Sequence, residues 1–330
     1  MSIIRNYFVA VIGKIVHKNK KIILYFLPIA VYNICMRYLS IAETAKKWNM
    51  SERSVRNYCA QGKIDGAFLT GKTWNVPEDA VKPQRTNQKA EKPETLLDVL
   101  RAEKNNRISG GIYHKVQIDL TYNSNHMEGS RLTHDQTRYI FETNTVGVDK
   151  AVNVDDIVET VHHFKCIDLV IDDANKKLTE KFIKDLHRML KNGTSDSRLS
   201  WFAVGDYKKL PNEVGGKETV QPEHVAQKMA ELLAAYNTIE QPSFDDILDF
   251  HYRFESIHPF QDGNGRVGRL ILFKECLRCG YVPFIIDEEL KIFYYRGLNE
   301  WKFERGYLRD TCFAVQDKFK KYLDYFKIKY

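Results

Sequence analysis

The sequence predicts a mainly α protein in two parts: a helical bundle carrying one β-hairpin and, ahead of it, a small winged helix-turn-helix module. Three observations predict it. From Glu94 onward, apolar residues recur at helical spacing nearly throughout. Ser, Thr, Gly and Pro stand where those runs should start and stop. Residues 37–83 instead hold two short amphipathic runs and then a compact alternating pair. The 330 residues suffice for two or three cores. They divide into an N-terminal extension (1–36), the winged module (37–83), a linker (84–93) and the bundle (94–330).

The net charge of +7 is unevenly spread. Residues 1–93 carry 16 Lys and Arg against 6 Asp and Glu, and the remainder 34 against 37. An anionic partner is therefore expected for the N-terminal end alone. Six cysteines without scaffold spacing point to a reducing, cytoplasmic setting. Cys276 and Cys279 form a lone C-x-x-C in an apolar helical run, with no second pair to complete a zinc site.

In the extension, Tyr7–Val16 and Ile22–Met36 are apolar and flank Lys18, Lys20 and Lys21. The longer stretch has 15 residues and contains Pro28, short of the ~18–20 residues of a spanning helix. Two readings stay open: a membrane-surface anchor, or a segment upstream of a true initiator at Met36. The second fits better, because a compact domain begins directly afterwards. A membrane partner is not expected.

In the winged module, Ser40 and Glu43 form a capping box, and Ile41, Ala45 and Trp48 share one helical face. Ser51 caps a second helix, Glu52 to Gln61, which Gly62 ends. With Val55 and Tyr58 inward, Arg53, Ser54, Arg56, Asn57 and Gln61 face outward, and these are side-chain types that read phosphates and base edges. Ala67–Leu69 and Thr73–Val76 then alternate around a Gly71 turn, as in a wing. The segment resembles excisionase or MerR-type DNA-binding modules, which implies DNA as a partner of residues 37–83. A small protein-interaction domain with a solvated basic face is the plainer alternative.

Pro83 and Pro93 bracket a polar linker without apolar periodicity. In the bundle, Leu96 opens a helix that Ser109-Gly110-Gly111 breaks, and a second runs from Ile112 through Asn125. Val154–Ile171 and Leu178–Lys191 follow, the latter stopped at Asn192-Gly193. Further helices are expected from Pro222 through Tyr236, from Phe244 (capped by Ser243) to about Ser256, and over Val267–Cys279, Glu288–Trp301 and Gly306–Phe326. Trp201–Lys208 and Glu213–Gly216 look like the two arms of an inserted hairpin.

The stretch His258–Arg269, HPFQDGNGRVGR, concentrates chemistry. Glycines ahead of a helix free the backbone for positive φ and let N–H groups converge into an anion-binding nest. Arg266 and Arg269 lie three apart and can fork onto phosphate oxygens. Asp262 can ligate Mg2+, which usually binds one or two carboxylates plus substrate phosphates. His258 titrates in the range of a general base; Pro259 behind it should end the incoming helix and hold the histidine extended. A capping or core histidine and solvated arginines are reasonable readings singly and poor ones jointly. The residues thus indicate a phosphate site beside a histidine base.

This string matches in full the Fic-family pattern HPFx[DE]GNGRxxR, and residues 94–325 resemble that family. The resemblance implies a helical bundle with a β-hairpin flap. It also implies transfer of AMP from ATP to a Tyr, Thr or Ser hydroxyl of a target protein, with Mg2+ as cofactor. His258 would deprotonate the hydroxyl, and Asp262 would hold Mg2+. Gly263, Asn264 and Gly265 would cradle phosphate oxygens, while Arg266 and Arg269 would hold the outer phosphates. A flap at Glu213–Lys217 would align the target, bringing Val214, Gly215 and Gly216 to the nucleotide. Tyr294 and Tyr295 match a pair lining the nucleotide site in similar proteins, although ordinary core aromatics remain an equal alternative. Lys302 stands where the family often has an asparagine, so adenine contacts do not carry over.

Upstream, Ser124-Asn125-His126-Met127-Glu128-Gly129 resembles the family's inhibitory pattern [ST]-x-x-x-E-[GN], within a helix near 120–130. The i, i+4 spacing puts Ser124 and Glu128 on one helical face. By resemblance, Glu128 would pair with Arg269 in the place of the γ-phosphate. The expected protein is a self-inhibited adenylyltransferase joined to a DNA-binding module, with a homodimer compatible. Alternatives are a DNA-binding regulator or toxin–antitoxin component whose Fic domain senses nucleotide, a de-AMPylase, or a transferase using another donor.

Overall fold

The computed structural model describes residues 37–83, 95–147 and 151–330. The N-terminal extension and the linker, with the expectations attached to them, lie outside the described residues. The chain divides between Gln88 and Lys89 into two compact units. Among the described residues no helix is long and apolar enough to cross a membrane.

In the first unit, strand β1 (Tyr38–Ser40) leads into helix α1 (Ile41–Trp48), followed by α2 (Glu52–Ala60), β2 (Phe68–Thr70) and β3 (Thr73–Pro77). The Ser40–Glu43 capping box starts α1, with the Ser40 N–H donating to Glu43 Oε2 at 2.8 Å and the Glu43 N–H to Ser40 Oγ at 3.3 Å. Ser51 caps α2 by accepting from the Ser54 N–H at 3.2 Å. The strands form an antiparallel sheet in the order β1-β3-β2, with Leu39 opposite Val76 and Leu69 opposite Trp74. Ile41, Ala45, Trp48, Val55, Cys59, Ile64 and Val76 make its core. The sequence pattern misses β1, whose three residues are too few to show a period.

The second unit is helical: α3 (Leu96–Asn106), α4 (Ile112–Met127), α5 (His134–Thr143), α6 (Val154–Asp172), α7 (Glu180–Lys191), α8 (Pro222–Asn237), α9 (Phe244–Ile257), α10 (Asn264–Cys279), α11 (Lys291–Glu300) and α12 (Gly306–Phe326). This is the mainly α bundle the spacing predicts. Helix α10 runs through its centre, packed against α9, α6, α7 and α4. Burial on every side explains why α10 has no single apolar stripe and encloses Arg266, Arg269, Lys274 and Glu275. Cys276 packs in the neighbouring core with Leu272, Tyr294 and Trp301.

Three expectations need correction. Helix α5 is unforeseen; a Thr133–Gln136 capping box opens it. Trp201–Lys208 is not a strand. It folds as turns whose Phe202 and Lys208 are buried, so its alternation reflects packing and not strand pairing. The hairpin is shorter, with β4 (Glu213–Val214) pairing antiparallel to β5 (Lys217–Glu218) around a Gly215-Gly216 turn.

Candidate active site

Two helices converge on the site end to end. Helix α9 stops at His258, where Pro259 offers no N–H to continue it. The expected extended backbone at His258 is not found: φ is 51° and ψ 63°, a left-handed C-cap whose N–H still bonds the Phe254 carbonyl at 3.0 Å. Closing that last helical turn outweighs the pre-proline preference. Five residues on, Gly263 (φ 80°) is the N-cap of α10. Gly265 has no positive φ. It lies inside α10, where a Cβ would sit 2.2 Å from Glu128 Oε1, so a larger residue there would push the Glu128 carboxylate aside.

The loop is clasped from within and from below. Asn264 is buried, its Oδ1 accepting from the Phe260 N–H and its Nδ2 donating to the Phe260 carbonyl, both at 2.8 Å. The Asn264 side chain therefore closes the loop on itself. Phe260 stacks on His187 with centroids 4.0 Å apart. His187 donates from Nε2 to the Asp262 carbonyl at 3.1 Å and accepts at Nδ1 from the Gly205 N–H at 2.9 Å. A carbonyl only accepts and an amide only donates, so this pair sets the neutral tautomer. Burial agrees, pushing the His187 pKa down to about 3.

One turn beyond His187, Lys191 donates to Asp262 Oδ2 at 2.7 Å and also bonds Glu159. Arg266 takes the same Asp262 oxygen at 3.1 Å and the other oxygen of Glu159. Burial alone would raise the Asp262 pKa, but Arg266 and Lys191 outweigh it and hold the carboxyl well below the usual range. Arg269 has separate partners. Its Nη2 donates to Glu128 Oε1 at 2.6 Å and to the Ser124 carbonyl at 2.9 Å, and its Nε to Ser124 Oγ at 3.0 Å. Burial works to raise the Glu128 pKa as well; Arg269 and Arg266 reverse it, so Glu128 is ionised.

His258 is mostly buried, and its Nδ1 has no hydrogen-bond partner among the described residues. Burial, then the charge of Lys208, lowers its pKa to about 4, with the Glu255 backbone, Glu128 and Asp262 opposing. It is thus neutral and able to accept a proton at physiological pH. Lys208 is buried against uncharged acceptors, Asn212 Oδ1 at 2.6 Å and Thr219 Oγ1 at 2.5 Å, and burial lowers its pKa to about 8. Asn212 Nδ2 donates to the Phe260 carbonyl at 3.0 Å, and the Lys208 N–H to the Pro259 carbonyl at 2.9 Å. The hairpin base is thereby tied to the loop, while Val214, Gly215 and Gly216 stand exposed at its tip.

The tyrosine pair separates. Tyr294 is buried and bonds His251 Nε2 at 2.6 Å, which makes it a core residue; Tyr295 is exposed, its pKa raised by the partial burial it has and by Glu128. Lys302 is exposed. In the first unit Arg53, Asn57 and Gln61 are exposed along α2. Ser54 is half-buried against Ser51 Oγ at 2.9 Å, and Arg56 pairs with Glu52 at 2.9 Å, so these two are partly engaged.

Residues 177–275 match the model of the Fic/DOC family. That segment is similar to a Fic domain. The matched span includes the whole loop, α7 beneath it and the hairpin, but not Glu128. Among curated proteins, protein adenylyltransferase Fic of Aedes aegypti is 28% identical over 210 residues, which is 62% of this chain and 39% of that protein. Its counterpart in Drosophila persimilis is 29% identical over 68% of this chain and 42% of its own length. The chain thus spans about two fifths of the curated relatives it matches. A Fic domain containing signaling protein from Bacteroides thetaiotaomicron superposes with a TM-score of 0.52 at 27% identity, covering 69% of this chain and 90% of that one. Fic-1 of Caenorhabditis elegans, at 22% identity and a TM-score of 0.52 over 70% of this chain and 71% of that chain, shares the fold.

Sequence reasoning missed Glu159, His187, Lys191, Lys208, Asn212 and Thr219. A partial signal existed for the Fic loop's floor, since His187 and Lys191 lie four apart on a helix face otherwise made of Phe182, Ile183, Leu186 and Leu190.

Proposed function

We propose that the protein is a self-inhibited adenylyltransferase that moves AMP from ATP to a hydroxyl of a target protein. The observation that carries the reading is a neutral His258 at the mouth of the α10 N-terminus, whose first turns bear Arg266 and Arg269. The name borne by the curated relatives supports it. In the reaction, His258 takes the proton of the attacking hydroxyl and the hydroxyl oxygen bonds to the α-phosphorus. The bond to the bridging oxygen breaks, and pyrophosphate leaves. Helix N–H groups and Arg269 stabilise the charge on the phosphates.

The family resemblance implies Mg2+. The donor set suits an ion carried in with the nucleotide: Asp262 is a half-exposed carboxylate, and among the described residues no group of three or more His, Cys, Asp or Glu could hold a metal unaided. Asp262 would hold it, and the ion would supply positive charge to the phosphates.

Supplying ATP labelled at either the α- or the γ-phosphate tests the reaction class. Protein-bound label from the α position alone is expected; label from the γ position would make the enzyme a phosphoryl transferase. We propose a restraint as well: with Arg269 engaged by Glu128, a bound triphosphate is held away from the aligned geometry.

We infer that residues 37–83 bind DNA through Arg53, Asn57 and Gln61, with the +10 excess of residues 1–93 in support. Duplex binding followed by anisotropy across salt concentrations tests this. Affinity should fall steeply with salt and weaken in Arg53→Ala; an absence of binding at low salt refutes it.

A further inference from the structure

Asp262 is the carboxylate at which a nucleotide-borne divalent ion would bind, and it already holds a cation of the protein's own. Lys191, at the end of α7, has a side chain only 3% exposed and donates to Asp262 Oδ2 at 2.7 Å. The same ammonium bonds Glu159 and lies 3.4 Å from Asp196. It cannot swing aside easily. A Cβ on Gly263 would lie 3.7 Å from Lys191 Cδ, so the stem is packed beneath the loop. Withdrawal would also leave the buried Glu159 with Arg266 alone. Because Arg266 approaches the same Asp262 oxygen at 3.1 Å, only Oδ1 remains for a metal, with two fixed cations behind it. Lys191 and Arg266 thus offset Glu159 and Asp262 in charge before any ion arrives, with the more exposed Asp196 at the edge of the cluster.

We propose that Lys191 is a resident cation of the phosphate site. It supplies from α7 part of the charge a divalent ion would bring, weakens metal binding at Asp262, and leaves triphosphate binding only modestly dependent on metal. An ammonium is a compact point charge suited to phosphate, and its repulsion of a dication on the same carboxylate is large at this range. The inference rests on the loop being a nucleotide site, not on which group is transferred.

The test uses the full chain. Mn2+ binding is titrated by electron paramagnetic resonance, without nucleotide, for wild type, Lys191→Met and Lys191→Arg. Lys191→Met should bind Mn2+ at least about tenfold more tightly, and Lys191→Arg should stay near wild type. Equal or weaker Mn2+ binding by Lys191→Met overturns the proposal. A second measurement needs no variant: wild-type affinity for ATP, by calorimetry, with EDTA or with Mg2+. A difference under about tenfold is expected, and complete loss of binding in EDTA overturns the proposal. Absence of ATP binding under both conditions would instead refute the nucleotide site, while the Mn2+ titration still decides the role of Lys191.

Discussion

Arg269 donates to Glu128 at 2.6 Å across a sequence separation of 141 residues, and its remaining hydrogen bonds go to Ser124 in the same segment. The guanidinium is buried, so its partners decide both its energy and its availability. Replacing Glu128 with glycine should therefore have opposite effects on stability and on ligand binding. We expect a loss of ~3–5 kcal/mol at most, because Ser124 remains, together with tighter ATP binding. Denaturation with and without saturating ATP checks this, and unchanged stability with unchanged affinity would mean the pair does nothing.

Gly265 should be coupled to the same glutamate. A methyl group there would collide with Glu128 Oε1 at 2.2 Å and approach Arg269 Nη1 at 2.9 Å. Gly265→Ala should cost at least ~1 kcal/mol more in wild type than in Glu128→Gly. Additive costs in a double-mutant cycle would place Glu128 elsewhere.

Asn264 should behave as a structural clasp. Its amide makes two bonds to Phe260, both buried. Asn264→Ala strands that N–H, while the carbonyl keeps its bond from Asn212 Nδ2, and should lose ~1–3 kcal/mol of stability as well as activity. If activity falls with an unchanged melting temperature, its role is at the ligand instead.

Stability should peak near pH 6.5. Burial lowers His163, His187 and His251 from 6.5 to about 3, and His258 to about 4. Between those values the unfolded chain binds more protons, so this stability is complete above pH 6.5 and is lost as pH falls. Glu255 runs the other way: burial raises it from 4.5 to about 8, so its contribution is present below pH 4.5 and is lost as pH rises towards 8. Four groups outweigh one on the acid side. A fall of at least ~2 kcal/mol from pH 6.5 to 4.5 is expected, with a gentler alkaline decline that Glu255→Gln flattens. Urea midpoints across pH measure it; a flat acid limb would contradict the buried neutral histidines.

The sequence was most legible where one element supplies its own signal. Gly306–Phe326 begins and ends as read, and the Ser40–Glu43 box starts its helix. The loop was legible because its groups are contiguous. Its floor was not, since His187 reaches Asp262 across 75 residues and Arg266 reaches Glu159 across 107. No local period encodes such meetings. Helix α5 escaped because it buries only Thr137 and Ile140 along its length and so carries little apolar pattern. That the Asn264 side chain closes the loop onto Phe260 is likewise a contact that residue type alone does not reveal.

We propose that Glu128, through Arg269, holds back an intact transfer site. The most direct measurement of this is the initial rate of α-labelled AMP incorporation by wild type, Glu128→Gly, and Glu128→Gly with His258→Ala. The rate should rise at least about tenfold from wild type to Glu128→Gly, as when a competing buried partner is removed. It should collapse to background in the double variant. Equal rates for wild type and Glu128→Gly, or persistent incorporation without His258, would contradict the proposal.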